Sequence, residues 1–165
     1  FNKAANSAGV KPSCFVAGTL VMAVVGMVAI EKIKSGDKVI STDPETMETS
    51  PKTVLETYIR EVTTLVHLTV NGEEIVTTVD HPFYVKNQGF IKAGELIVGD
   101  ELLDVNGNVL LVEKFNVELT DEPTTVYNFQ VEDFHTYHVG EIGVWVHNAS
   151  CKVNKKVGEN YDQRF

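Results

Sequence analysis

The chain has 165 residues, 43% of them hydrophobic, and a formal net charge of −9 at pH 7. That length can bury a single-domain core without metal or disulfide staples. Its 14 Lys and Arg gather into no basic stretch, which argues against a surface built for nucleic acid or anionic lipid. Cys14 and Cys151 are too few for a disulfide framework and have no CxxC zinc spacing. We find no apolar run of 18 residues and no signal peptide, so no membrane span is expected. The lack of an initial Met points to an excised fragment.

Residues 1–13 are small and polar and read as an upstream flank or linker. From Cys14 onward the chain is rich in short β-type runs separated by turn signals. Leu65–Val70, Asn71-Gly72 and Glu73–Val79 predict a hairpin with a tight primed turn. Asn106-Gly107 repeats the signal between Glu101–Val105 and Val109–Lys114. Asp43-Pro44 and Asn87-Gln88-Gly89 mark further turns. Only Ile30–Lys34 and Ala93–Val98 invite a helical turn. Residues 149–165 become polar again, as a downstream flank would. The expected class is all-β, with one domain over residues 14–148.

An internal echo points to duplication. The run from Ile30 to Ile40 (IEKIKSGDKVI) parallels that from Ala93 to Leu103 (AGELIVGDELL). Leu65–Val70 likewise resembles Val126–Val131, and the segment at His81 resembles that at His135. Two related β units would then carry one histidine each to comparable places.

Candidate chemistry sits at the edges of this region. Cys14 reads as a buried thiol or as a nucleophile that attacks the Ser13 carbonyl. Converting that amide to a thioester is uphill and needs an acid for the departing nitrogen. Thr78-Val79-Asp80-His81 offers a hydroxyl to orient the peptide and an imidazole to protonate the nitrogen. Strand alternation would turn Asp80 away. His135 and His138 should lie on opposite strand faces, so at most one joins a site. His67 reads as a satisfied strand histidine. Asn148, preceded by His147, ends the β region; its side-chain amide can attack its own carbonyl and cut the chain. Pre-arranged geometry supplies an effective molarity of about 10⁵–10⁸ M for such an intramolecular attack.

Four motifs occur in order: Cys14 with Phe15-Val16-Ala17-Gly18-Thr19, Thr78 to His81, Val126 to His135, and Val146-His147-Asn148. Together they resemble the Hint fold of inteins, Hedgehog autoprocessing domains and bacterial intein-like domains. The resemblance covers residues 14–148 and implies a horseshoe of about a dozen strands with pseudo-two-fold symmetry. It further implies autocatalytic processing. Cys14 takes the Ser13 acyl group with Thr78 and His81, and Asn148 cyclises with His147 and His135 to release Ala149. The partners would be the chain's own flanks and an external thiol, amine or water, with no metal or cofactor and no nucleic acid or membrane. A monomer is expected, from a bacterial secreted or surface precursor.

Two positions depart from the intein pattern. Ala149 stands where an intein carries Ser, Thr or Cys, which disfavours ordinary splicing; Ser150 or Cys151 could accept inefficiently. Asn128 stands where Asp is common, and a neutral amide hydrogen-bonds but does not carry a proton, which weakens the proton chain. Both departures favour an alternative, a degenerate scaffold joining a carrier to a downstream effector. A metal site formed by Cys14, His81, His135 and His147 is a third reading, without zinc-type spacing. If the domain's ends meet, Cys14 and Cys151 could also form a disulfide.

Overall fold

The computed structural model describes residues 13–148. The expectations for residues 1–12, Ala149, Ser150 and Cys151, including the Cys14–Cys151 pairing, lie outside the described residues. Within them run twelve strands: β1 (Phe15–Val16), β2 (Leu20–Ala23), β3 (Gly26–Ala29), β4 (Lys38–Thr42), β5 (Thr49–Val70) and β6 (Glu73–Thr77). The second half holds β7 (Pro82–Val85), β8 (Gly89–Lys92), β9 (Glu101–Leu103), β10 (Val109–Val131), β11 (Thr136–Val139) and β12 (Val144–His147). Single 3₁₀ turns at Ile30–Lys32 and Ala93–Glu95 are the only helical elements among the described residues. The all-β class is therefore correct.

The strands form one sheet that closes on itself, because β11 pairs with β2 as well as with β12. Its spine is the antiparallel pair β5–β10, paired from Val112↔Val70 to Val131↔Val54, with register shifts between Val112 and Lys114, Leu119 and Thr124, and Gln130 and Val131. Each long strand serves two regions of the sheet. The start of β5 pairs with β4 and its end with β6, while the start of β10 pairs with β9 and its end with β1. Inward faces of Phe15, Val66, Leu68, Phe83, Phe129 and Val146 make the main core. Burying such side chains contributes roughly 1.5–3 kcal/mol each.

Duplication is written into the backbone hydrogen bonds. The amides of Gly36 and Gly99 donate to the Val54 and Val112 carbonyls, and the amides of Val54 and Val112 return to Asp37 and Asp100. In both units an aspartate caps the preceding turn: Asp37 Oδ2 accepts from the Lys34 amide and Asp100 Oδ2 from the Ile97 amide, each at 2.9 Å. Gly36 and Gly99 have φ of 95° and 100°, a backbone conformation that costs side-chain-bearing residues energy. The echo does not extend to the histidines. His81 precedes β7, which pairs with β8, β9 and β12, whereas His135 precedes β11, which pairs with β12 and β2.

Turn chemistry separates the two Asn-Gly signals. Asn71 and Gly72 have φ of 45° and 87°, the two positive values of a type I′ hairpin. At Asn106-Gly107 only the glycine has positive φ. There Asp104 Oδ1 accepts from the Asn106 and Asn108 amides, both at 2.8 Å, and draws residues 104–108 into a longer loop.

His67 is satisfied, as expected. Its Nδ1 lies 3.0 Å from Glu74 and its Nε2 2.7 Å from Glu118. The Glu118 contact, followed by Glu74, outweighs partial burial and holds the imidazole pKa above its ordinary 6.5. A raised folded value gives stability that is fully present below the unfolded pKa and lost as pH rises through the folded one. The thermal midpoint of the wild type should therefore fall relative to His67→Gln as pH climbs from 6.5. Parallel midpoints across that range would contradict the linkage.

Candidate functional site

Sheet register builds the site. Phe15 pairs with Thr77 on one side and Tyr127 on the other, so Cys14, one residue earlier, falls between Thr78 and Asn128. The Thr78 amide donates to the Cys14 carbonyl at 2.9 Å, and the Cys14 amide donates to Thr78 Oγ1 at 3.0 Å. The Thr77 hydroxyl also donates to the Cys14 carbonyl, at 3.1 Å. Cys14 is fully buried beside Leu65 and Val126.

The chain's other end arrives through β12, which pairs with β11 and with Phe83 of β7. Just beyond it, the Asn148 amide donates to the His135 carbonyl at 2.8 Å. His135 has φ of 58°, as does nearby Asp133 at 63°, a left-handed conformation that non-glycine residues hold only when surroundings impose it. The surroundings here are β5 contacts. Lys52 pairs with Asp133 at 2.8 Å, and the Thr53 amide donates to Glu132 Oε2 at 3.0 Å.

Asn128 joins the two ends. Its Nδ2 donates to the Ser13 carbonyl and, at 3.0 Å, to the Asn148 carbonyl. The amide's orientation follows from its other side: Oδ1 accepts from the Phe129 amide at 2.8 Å and from the Tyr137 hydroxyl at 2.6 Å. A backbone N–H only donates, so that atom must be oxygen, and nitrogen faces the carbonyls. Two N–H bonds meet two carbonyls. Asn128 therefore places a double donor where a carboxylate would present lone pairs. Tyr137 is buried, and its phenol is held well above the usual tyrosine range by burial and then by the neighbouring Cys14; it stays protonated and donating. Nothing in the motifs marked this tyrosine.

His81 enters the site but not on the Cys14 nitrogen, where Thr78 Oγ1 lies instead. Its ring packs on Phe15, with centroids 4.2 Å apart, and faces the His147 backbone without making a full hydrogen bond. Burial first, and the nearby His147 next, push its pKa well below normal, so it is neutral. The Thr78–His81 turn is clamped to the second 3₁₀ turn by the Ala93 amide on His81 O and the Gly94 amide on Val79 O, both 2.8 Å. A Cβ at Gly94 would come within 2.6 Å of Val79 Cγ1 and 3.2 Å of the Val79 carbonyl, so a larger residue would have to displace the Val79 side chain.

Asp80 is a correction. Residues 78–81 follow the end of β6 as a turn, so strand alternation does not apply. The side chain folds back, and Oδ1 accepts from the Thr78 hydroxyl at 3.0 Å. The Asp80 carbonyl takes the Ser13 hydroxyl at 3.1 Å.

The remaining histidines separate. His147 lies 5.1 Å from the Phe90 ring and 6.3 Å from His135, between centroids. Burial lowers the His135 pKa, and the side chain bonded to the Asn148 carbonyl is that of Asn128. His138 goes to the core. Its Nδ1 donates to the Gly143 carbonyl at 2.9 Å and its Nε2 accepts from Thr42 at 2.8 Å; burial pushes its pKa down to about 4. The Asn148 side-chain amide is buried and makes no hydrogen bond among the described residues. No group of three or more His, Cys, Asp or Glu gathers as metal ligands among the described residues, so the metal reading has no convergent ligand set there.

These features have close relatives. The Pretoxin HINT domain family model matches residues 20–149. The solution structure of a bacterial intein-like domain from Clostridium thermocellum is 63% identical, with TM-score 0.80, covering 82% of this chain and 98% of that one. The crystal structure of the gp41-1 intein is 22% identical with TM-score 0.69, covering 84% of this chain and all of that one, a likeness of fold. An uncharacterized protein of Methanocaldococcus jannaschii is 38% identical over 77 residues, 44% of this chain. The chain spans only 11% and 5% of the lengths of the curated relatives it matches. With a family model over most of its length and such identity across nearly a whole solved domain, the chain belongs to the Hint family of intein-like autoprocessing domains.

Proposed function

We propose that this domain cuts itself free at both ends in single-turnover reactions, with its own flanks as substrate. Cys14 Sγ attacks the Ser13 carbonyl carbon, the bond to the Cys14 nitrogen breaks, and a thioester and an amine result. Thr78, with neutral His81 beside it, orients that peptide. Water, or an external thiol or amine, then takes the acyl group and restores the thiol. Separately, Asn148 Nδ2 attacks its own carbonyl carbon. A succinimide forms, and the Ala149 nitrogen leaves with a proton, assisted by His147. The His135 carbonyl fixes the Asn148 backbone during that step.

One observation supports this reading above the others: a single amide, Asn128 Nδ2, donates to both carbonyls at which charge would develop. Preorganised donors of this kind contribute about 10²–10³ in rate each. Ala149 supplies no nucleophile, so cleavage is favoured over splicing, with Ser150 and Cys151 left as inefficient acceptors.

Incubating purified precursor with dithiothreitol tests the proposal directly. Mass measurements should show an upstream fragment carrying the thiol adduct or a free carboxylate. They should also show a domain shortened after Asn148 and carrying a C-terminal succinimide or its hydrolysis product. A precursor that keeps its full mass for days would instead favour the degenerate scaffold.

A further inference from the structure

We propose that Asp80 is a positioning residue that delivers the proton to the departing Cys14 nitrogen through the Thr78 hydroxyl. The inference rests on the reading that Cys14 takes the Ser13 acyl group. A hydroxyl has one proton and two lone pairs; here Thr78 Oγ1 accepts from the Cys14 amide at 3.0 Å and donates to Asp80 Oδ1 at 3.0 Å. A continuous path therefore runs from the scissile nitrogen to a carboxyl group. Both ends of the path are held. The Thr78 amide bonds the Cys14 carbonyl at 2.9 Å, and the Asp80 carbonyl takes the Ser13 hydroxyl at 3.1 Å.

The alternative source is poorer. Buried His81 is neutral and packs on Phe15, with no extra proton to give. The carboxyl of Asp80 is also largely buried, and this desolvation raises its pKa over the opposing Thr78 hydrogen bond and the charges of Arg60 on β5 and Lys92 on β8. It thus keeps its proton to higher pH than an ordinary carboxyl. Asp80 and Thr78 line an open cavity of about 580 Å³ together with Arg60, Glu61 and Pro123, so solvent can resupply that proton.

The steps balance. The thiol proton passes to water as the thiolate forms, and Sγ bonds to the Ser13 carbon. As the Cys14 nitrogen becomes pyramidal and basic, both hydrogen bonds of Thr78 reverse: its hydroxyl turns from Asp80 to the nitrogen, and the protonated Oδ1 of Asp80 donates to Thr78 Oγ1. Thr78 gives its proton to nitrogen and takes the carboxylic-acid proton of Asp80, and the carbon–nitrogen bond breaks. Asp80 is reprotonated from the cavity, so the net change is amide plus thiol to thioester plus amine.

The test measures upstream release from full-length precursor in saturating dithiothreitol across pH, for wild type, Asp80→Asn and Asp80→Glu. Asparagine keeps an acceptor for the Thr78 hydroxyl but carries no transferable proton. Asp80→Asn should slow upstream release by about 10²-fold, the lower end for a positioned acid, and abolish the fall in rate seen as the wild-type carboxyl loses its proton. Asp80→Glu should restore much of both. Downstream release, which reports on folding, should be unchanged in each. Three results overturn the inference: an Asp80→Asn rate and pH profile equal to wild type, a slowed variant with an unshifted profile, or an Asp80→Glu variant that folds yet stays as slow. Wild-type precursor that releases no upstream fragment removes the Cys14 reading itself, and the inference with it.

Discussion

Cys14→Ala should abolish upstream release from a precursor carrying both flanks while leaving downstream release at the wild-type rate, and Asn148→Ala should do the reverse. Each substitution deletes a nucleophile for which no neighbour substitutes. The Thr78 hydroxyl is already bonded to the Cys14 amide and to Asp80, and Asn128 uses both of its N–H bonds on the carbonyls. What remains is uncatalysed amide hydrolysis, so the loss should reach the limit of detection in a gel or mass assay over days. Cys14 is buried beside Leu65 and Val126, and replacing its thiol with hydrogen leaves a small void costing about 1 kcal/mol. Downstream release in that variant therefore doubles as a check of the fold. Fragments unchanged in both variants would end the self-cleavage reading. Loss of both fragments in either single variant would end the independence of the two centres.

Asn128→Ala should slow both releases together, by about 10²–10³ each, the cost of removing one oxyanion donor. Asn128 bonds the carbonyls at both proposed cleavage points. Asn128→Asp is the sharper variant. Ionised, its outer oxygen would face two carbonyl oxygens; protonated, it offers one hydrogen where the amide offers two. Its activity should rise as pH falls toward its protonation, and it should support one release better than the other. Tyr137→Phe removes the 2.6 Å contact on Oδ1 but leaves the Phe129 amide to orient the group, so its effect should be smaller than that of Asn128→Ala. Measuring both fragments by mass against time decides this. A change confined to one release in Asn128→Ala would show that the double contact is not used in catalysis.

Much of this arrangement could be read from the chain. Alternation and turn residues announced an all-β domain, and the aspartates at 37 and 100, each after a glycine, marked the repeat, because a local cap needs only its own few residues. Asn71-Gly72 formed its primed turn for the same reason. Asn106-Gly107 did not, since the Asp104 carboxylate competed for the same amides. His135 and His138 separated, but not as opposite faces of one strand. His135 lies just before β11 with positive φ and is kept near Asn148 by its carbonyl, whereas His138 on β11 is satisfied in the core by Thr42 and Gly143.

By itself, then, the sequence determined the strands and the repeat and singled out Cys14 and Asn148 as candidates at the edges of the domain, because periodicity and short motifs act over neighbouring residues. Tertiary structure decided what those residues face. Asn128 became a double donor only because β1 lies against β10 while β12 carries Asn148 back beneath the His135 carbonyl. Tyr137 reaches Asn128 across 9 residues, and Asp80 folds back on Thr78 across 2, each contact depending on where a turn points. Hydrogen bonds of about 3 Å between distant segments are set by sheet closure and register, and no local pattern encodes them.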